Sequence, residues 1–166
     1  MIDHTPIWND LPPEPELRWG KIDDWHLEQR YVERAPSYFG RWLRQIDVLW
    51  PGRLDRKLEE KLDELLNLDE KDEVLRLDAI LRGKTQQPIA QAEIYVALEA
   101  SVTVNMNDVE RVAERAALLR RIGVRVVAVV AGEVIERDAD EYAQANGVAI
   151  LQNGKRRGWE QALAGA

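Results

Sequence analysis

The chain has 166 residues and a formal net charge of -7, which argues against a strongly basic nucleic-acid-binding protein because neutralising phosphates requires clustered Lys and Arg. It contains no cysteine, so disulfide bonds and thiolate metal sites are excluded. The first residues are polar and no segment has the apolar length of a membrane span, so we expect a cytoplasmic protein without membrane contact.

We expect one domain over residues 1–166, since this length can bury a substantial core. Residues 1–20 hold four prolines, which predicts an extended arm. Residues 21–76 are predicted to be mainly helical, with a helix from Ile22 that breaks at the Ala35-Pro36 step and a second short helix after it. QIDVLW, residues 45–50, predicts a short strand before Pro51-Gly52.

The segment RLDRKLEEKLDELL, residues 53–66, predicts an amphipathic helix because its leucines recur at steps of three and four. This leucine helix can pack on its own domain or form a seam with a second copy. Five of the six tryptophans lie in the first fifty residues, where they can anchor the N-terminal region or form an interface. A homodimer through the leucine helix or the Trp-rich N-terminal region is therefore one interpretation.

Residues 77–151 predict an α/β core. Strands are expected at 77–83, 93–104, 124–132 and 148–152, with a helix capped by Asn107 and ending at Gly123, and another over about 135–146. The near-continuous apolar runs indicate parallel pairing for the later strands. The fold class is therefore α/β, a mixed sheet flanked by helices, with residues 152–166 as a C-terminal tail.

Two carboxylates interrupt predicted strands that are otherwise apolar, Asp78 and Glu99. If the two strands pair across the loop of residues 83–92, several registers place both side chains on one face. Two carboxylates in one cleft would suit Mg²⁺, which prefers oxygen ligands. The alternative is that each acid lies at a strand end, is solvated on one face or is paired with an arginine, for which Arg82, Arg111 and Arg115 are the candidates.

An acid on one strand, a hairpin, E-x-K on the next strand, then a helix and another strand form a known pattern. Residues 77–151 resemble this pattern of the PD-(D/E)xK, or restriction-endonuclease-like, nuclease superfamily, in its small prokaryotic members. The resemblance implies a restriction-endonuclease-like fold and phosphodiester cleavage in DNA with Mg²⁺ or Mn²⁺. Asp78, Glu99 and the carbonyl of Ala100 would be metal ligands, and Glu28 aligns with a glutamate of the family's first helix.

The lysine of the pattern is replaced by Ser101, which carries no positive charge and is a poor general base. The resemblance therefore implies weak or lost catalysis by Asp78, Glu99 and Ser101. A cation from Arg111, Arg115 or Lys84 is a possible substitute, although arginine cannot act as a base.

Candidate phosphate contacts are Arg111 and Arg115 and the C-terminal cluster Lys155, Arg156 and Arg157. The alternative function is a non-enzymatic protein-protein interaction or oligomerisation module on the same fold.

Overall fold

The structure, a computed structural model, describes residues 25–86 and 92–166. A mixed sheet of six strands in the order β1-β2-β3-β5-β7-β8 forms its centre, and β4 pairs with β6 in a separate two-stranded sheet. Strands β1 to β3 are antiparallel, β3, β5 and β7 are parallel, and β8 is antiparallel to β7. The strands are β1 (Leu43–Leu49), β2 (Ala79–Thr85), β3 (Glu93–Ala100), β4 (Thr103–Val104), β5 (Val126–Gly132), β6 (Val134–Ile135), β7 (Ala149–Gln152) and β8 (Lys155–Arg157).

Helices cover both faces of the sheet, so the predicted α/β class and mixed sheet are confirmed. None of the helices within the described ranges is long and apolar enough to cross a membrane. The helices are α1 (25–33), α2 (Ala35–Phe39), α3 (Arg56–Leu65), α4 (Leu68–Leu75), α5 (Met106–Arg121), α6 (Arg137–Ala145) and α7 (Trp159–Ala164).

Each face of the sheet has its own core. Residues of α1, α2 and α7 pack on one face, and residues of α3 to α6 pack on the other. Side chains alternate along β3, so Val96 and Leu98 face the first layer and Ala97 faces the second. Because Glu99 is two positions from Ala97, its carboxylate also lies on the α5 side.

The long predicted strand 93–104 is interrupted. It ends at Ala100, and only Thr103 and Val104 resume pairing, with β6. Gly132 lies against this break, where a Cβ would be 2.5 Å from the carbonyl oxygen of Ser101 and 2.8 Å from a Val104 methyl. Glycine is therefore required for the close approach of the two chain segments.

The predicted N-cap of α5 at Asn107 is wrong by two residues. Asn105 caps the helix, because its side chain accepts the Asp108 N–H at 3.0 Å while the Asp108 carboxylate accepts the Asn105 N–H at 2.9 Å. Both asparagines precede an acid by three positions, so the sequence offers two capping boxes. The structure uses the first.

The leucine helix packs on its own domain. Leu58 and Leu62 are 1% and 0% exposed within the core, whereas Leu65 is 50% exposed. Two of the leucines that a seam with a second copy would use are therefore already buried in the chain's own core, whereas Leu65 stays at the surface.

The expected C-terminal tail is instead part of the fold. Strand β8 extends the sheet, and Trp159 at the start of α7 stacks on Trp42 with ring centroids 4.3 Å apart and an interplanar angle of 2°. The Arg156 guanidinium lies over the Trp42 ring at 5.3 Å. The Pro-rich arm of residues 1–20 lies outside the described residues.

Packing of the leucine helix predicts unequal effects of two leucine substitutions in α3. We expect Leu62→Ala to lower the free energy of unfolding by about 2 to 5 kcal/mol, because it leaves a cavity in the core. The matched change Leu65→Ala, on the exposed side of the same helix, should cost about 0.5 kcal/mol or less. Urea denaturation of both variants measures this, and equal losses would contradict the packing of α3.

Candidate functional site

Asp78 and Glu99 lie opposite each other on the α5 side of the sheet. Strands β2 and β3 pair with Ala79 opposite Leu98, and the Asp78 N–H donates to the Leu98 carbonyl at 3.2 Å. Continuing this register by one residue sets Asp78 against Glu99, so the prediction that some register brings the two acids together is confirmed. The site therefore lies where β2 begins and β3 ends.

Three carboxyl groups meet at this point. Oδ2 of Asp78 accepts the Ala100 N–H at 2.8 Å, and the Asp78 carboxyl is also hydrogen-bonded to the side chains of Glu99 and Glu28. Glu28 comes from α1, in the other helical layer. Glu28, the position that aligns with the family's first-helix glutamate, thus contacts the acid that precedes β2.

Burial changes the protonation of the acid pair. Desolvation, together with the charge of Asp78, raises the pKa of Glu99 to about 8, against an ordinary value of 4.5. Desolvation also raises the pKa of Asp78, although the hydrogen bond from Ala100 opposes it. Since two adjacent carboxylates repel each other, the pair titrates as a unit and retains a proton near neutral pH.

Arg115 of α5 is the cation that reaches the site. Its Nη1 donates to Glu99 Oε1 and, at 3.3 Å, to the carbonyl of Arg76, while its Nε lies 3.3 Å from Glu73 Oε2. Arg115 is buried, at 6% exposed. The alternative in which an arginine pairs with Glu99 is therefore the arrangement observed. Glu73 was not among the predicted residues.

The other proposed substitutes for lysine do not reach the carboxylates. Arg111 pairs with Asp108 at the start of its own helix. Lys84 lies opposite Glu93, at the far end of β2 and six residues from Asp78, a separation of about 20 Å along an extended strand. Lys84 therefore does not fold back to the site, and of the three possible substitutes Arg115 is the one that contacts it.

Ser101 directly follows β3. Its backbone N–H donates to the Ala131 carbonyl at 2.9 Å, and its hydroxyl donates to the Thr103 carbonyl at 3.0 Å. The hydroxyl therefore helps hold the chain between β3 and β4. It contributes no charge to the site.

The donor atoms suit a divalent cation in chemistry but only partly in arrangement. Carboxylate and carbonyl oxygens are the ligands that Mg²⁺ prefers, and the residues that would supply them are Asp78, Glu99, Ala100 and Glu28. Within residues 25–86 and 92–166, however, no group of three or more His, Cys, Asp or Glu is arranged to hold a metal ion. Glu28 and Glu99 are each hydrogen-bonded to Asp78. A cation would have to replace the shared proton and compete with Arg115.

The basic residues near the C-terminus lie on β8, an edge strand of the sheet, whereas the carboxylates lie between the interior strands β2 and β3. Arg156 donates to the backbone carbonyls of Tyr38 at 2.7 Å and Ser37 at 3.1 Å, and Arg157 pairs with Asp140 at 2.7 Å. Strand β8 is three strands from β3, or about 14 Å. Lys155, Arg156 and Arg157 are therefore not brought to the carboxylates, and two of the three hold neighbouring elements.

A cleft of about 210 Å³ lies between α1 and the segments that follow β3 and β5, and it was not predicted. His26, Leu27 and Arg30 of α1 form one wall. The other wall is Val102 and Glu133, the second residue beyond β3 and the first beyond β5. Ligands of α/β sheets commonly bind at the carboxyl ends of parallel strands. The sequence signal for this cleft was weak: His26 and Arg30 lie two residues before and two residues after Glu28 in the same helix.

Comparisons with family models, with curated proteins and with solved structures found no significant match to this chain.

The raised pKa of Glu99 predicts how stability depends on pH. The folded protein keeps a proton that the unfolded chain releases near pH 4.5, so this contribution is complete below that pH and is lost as the pH rises through about 8. Thermal unfolding at intervals from pH 5 to pH 9 should show a falling melting temperature. Glu99→Gln should flatten the decline, and Glu64→Gln, at an exposed position of α3, should leave it unchanged.

The burial of Arg115 predicts strong coupling between it and Glu99. Arg115→Met removes one partner of a buried pair and should cost about 3 to 5 kcal/mol in the free energy of unfolding. Adding Glu99→Gln should recover part of the loss, because no unpaired charge then remains at Glu99. Urea denaturation of the two single variants and the double variant gives the coupling energy. Strictly additive losses would contradict the pairing.

Proposed function

We propose that this protein is a restriction-endonuclease-like domain of the PD-(D/E)xK superfamily with weak or lost phosphodiesterase activity. The observation that carries the proposal is the pairing of Asp78 with Glu99 at the end of a hairpin, with Ala100 beside them. In the pattern that the sequence resembles, these positions hold the metal ligands.

The order of elements around the acids supports this proposal. Strands β2 and β3 form the expected antiparallel hairpin, α5 follows, and β5 returns parallel to β3. Helix α1 brings Glu28 to Asp78. None of these points of agreement involves a basic residue. They therefore support the proposal even though Ser101 replaces the lysine of the pattern.

The chemistry available at the site favours slow cleavage or none. A bound Mg²⁺ or Mn²⁺ would polarise the phosphate and lower the pKa of a water molecule. Asp78, Glu99 and the Ala100 carbonyl would hold it. Arg115 can offset phosphate charge but stays protonated, so it cannot take a proton from water. Ser101 has neither charge nor basicity, and its hydroxyl is already bonded to Thr103.

A second candidate, a module that binds a partner without catalysis, is favoured by the pairing of Arg115 with Glu99. The guanidinium offsets the buried negative charge without a metal ion. A site neutralised in this way can persist after catalysis is lost, because burying the acids no longer requires a cation from solution.

A divalent cation should raise the melting temperature if the site is competent to bind one, because preferential binding to the folded state stabilises it. The rise with Mn²⁺ should be larger at pH 8.5 than at pH 6, since the ligands must lose their shared proton. We expect Asp78→Asn and Glu99→Gln to abolish it and Glu64→Gln to retain it. Equal shifts in all variants would indicate binding elsewhere.

Replacement of the missing lysine tests the catalytic part of the proposal. We expect the unaltered chain to cleave single-stranded and plasmid DNA slowly or not at all in Mn²⁺, and Ser101→Lys to raise the rate by about 10²-fold or more. Combining Ser101→Lys with Asp78→Ala should remove that gain. Cleavage that survives Asp78→Ala and Glu99→Ala would contradict the assignment, and no cation effect at any pH would favour the binding module.

A further inference from the structure

The four tryptophans within the described residues divide into two kinds. Trp42 and Trp159 stack on each other, with Trp159 buried and Trp42 half-buried. Trp25 and Trp50 are 55% and 40% exposed. Exposed tryptophan is uncommon on a surface that has no partner, because its ring removes more apolar area from water on burial than most other side chains.

Both exposed tryptophans flank the carboxylate site. The last residues paired between β1 and β2 are Leu49 and Ile80, so Trp50, directly after β1, and Asp78, just before β2, lie at the same end of the sheet. Trp25 is the first residue of α1 that the structure describes, three residues before Glu28, whose side chain is hydrogen-bonded to Asp78. Two separate elements therefore place a tryptophan at the end of the sheet where β2 begins and β3 ends. We call this end of the sheet the site edge.

The cleft beside α1 adds a cation to the site edge. Arg30 is exposed and lines the cleft together with His26, whose ring packs edge-on against Trp25 with centroids 5.0 Å apart. Glu133 lies on the opposite wall. The site edge thus combines two exposed indoles with one fully charged guanidinium, and the carboxylate of Glu133 limits its net positive charge.

This combination discriminates between forms of nucleic acid. Duplex binding draws its affinity from neutralising many phosphates, and a chain of net charge -7 with one arginine in the cleft cannot supply that number. Bases in a duplex are also stacked and out of reach. Single strands bind instead through bases that stack on aromatic rings, helped by a few cations.

We propose that the site edge binds a short single-stranded polynucleotide, with bases stacked on Trp25 and Trp50 and a phosphate at Arg30. The strand then crosses the site edge where Asp78 and Glu99 meet. The inference rests on the proposed function in taking the site edge as the substrate site, but binding can be measured without cleavage.

Binding of fluorescently labelled oligo(dT), with oligo(U) in parallel, is measured by anisotropy in EDTA, so that metal and cleavage play no part. We expect Trp25→Ala and Trp50→Ala each to weaken binding about tenfold. Arg30→Ala should make the slope of log affinity against log salt shallower by about 0.7. The control Leu68→Ala, at an 81% exposed position of α4, should bind like the unaltered chain.

Three results would overturn the inference: no binding at roughly tens of micromolar, equal affinity for a blunt duplex of the same length, or unchanged binding in both tryptophan variants. A dimer in light scattering that Trp25→Ala abolishes, without oligonucleotide binding, would also overturn it and assign these rings to a second copy. Failure of the proposed function has a different signature, since it appears as absent cation and cleavage effects while binding in EDTA is retained.

Discussion

The hydrogen-bonded pairing of Asp78 with Glu99 is the interaction around which the rest of the site is arranged. A strand periodicity of two means that a shift of one residue between β2 and β3 would send the acids to opposite faces. The Asp78 N–H to Leu98 and the Ala100 N–H to the Asp78 carboxylate hold the observed register at both sides of this point. Asp78 therefore has two roles. Its carboxyl group is part of the site, and by accepting the Ala100 N–H it ends the hydrogen-bond ladder between β2 and β3.

Arg115 links this pair to the helices. Through one guanidinium it contacts the end of β3, the side chain of Glu73 in α4 and the backbone just beyond α4. Buried ion pairs add little net stability, because desolvation offsets most of the attraction, but they favour one arrangement over others. The position of α5 across the sheet is therefore tied to the protonation of the acids, and both are properties of the same buried cluster.

Much of the fold was predictable because its signals are local. Continuous apolar runs indicated β3 and β5, and the two in-strand acids on either side of a hairpin indicated one face. The N-cap of α5 was ambiguous, since Asn105 and Asn107 each precede an acid by three residues. Which arginine pairs with Glu99 could not be predicted from the local sequence, because the packing of α5 selects Arg115 over Arg82 and Arg111. The exposure of Trp25 and Trp50 likewise depends on which surfaces the helices leave uncovered.

The aromatic contacts at the end of the chain extend to the first helix of the site. Trp159 packs near Phe39 as well as on Trp42, and Tyr38, next to Phe39, contacts Tyr31 of α1. The turn of α1 that carries Tyr31 also positions Glu28. The C-terminal residues are thus a distant support for the acid site, and shortening the chain before Trp159 would remove that support while leaving every carboxylate in the sequence.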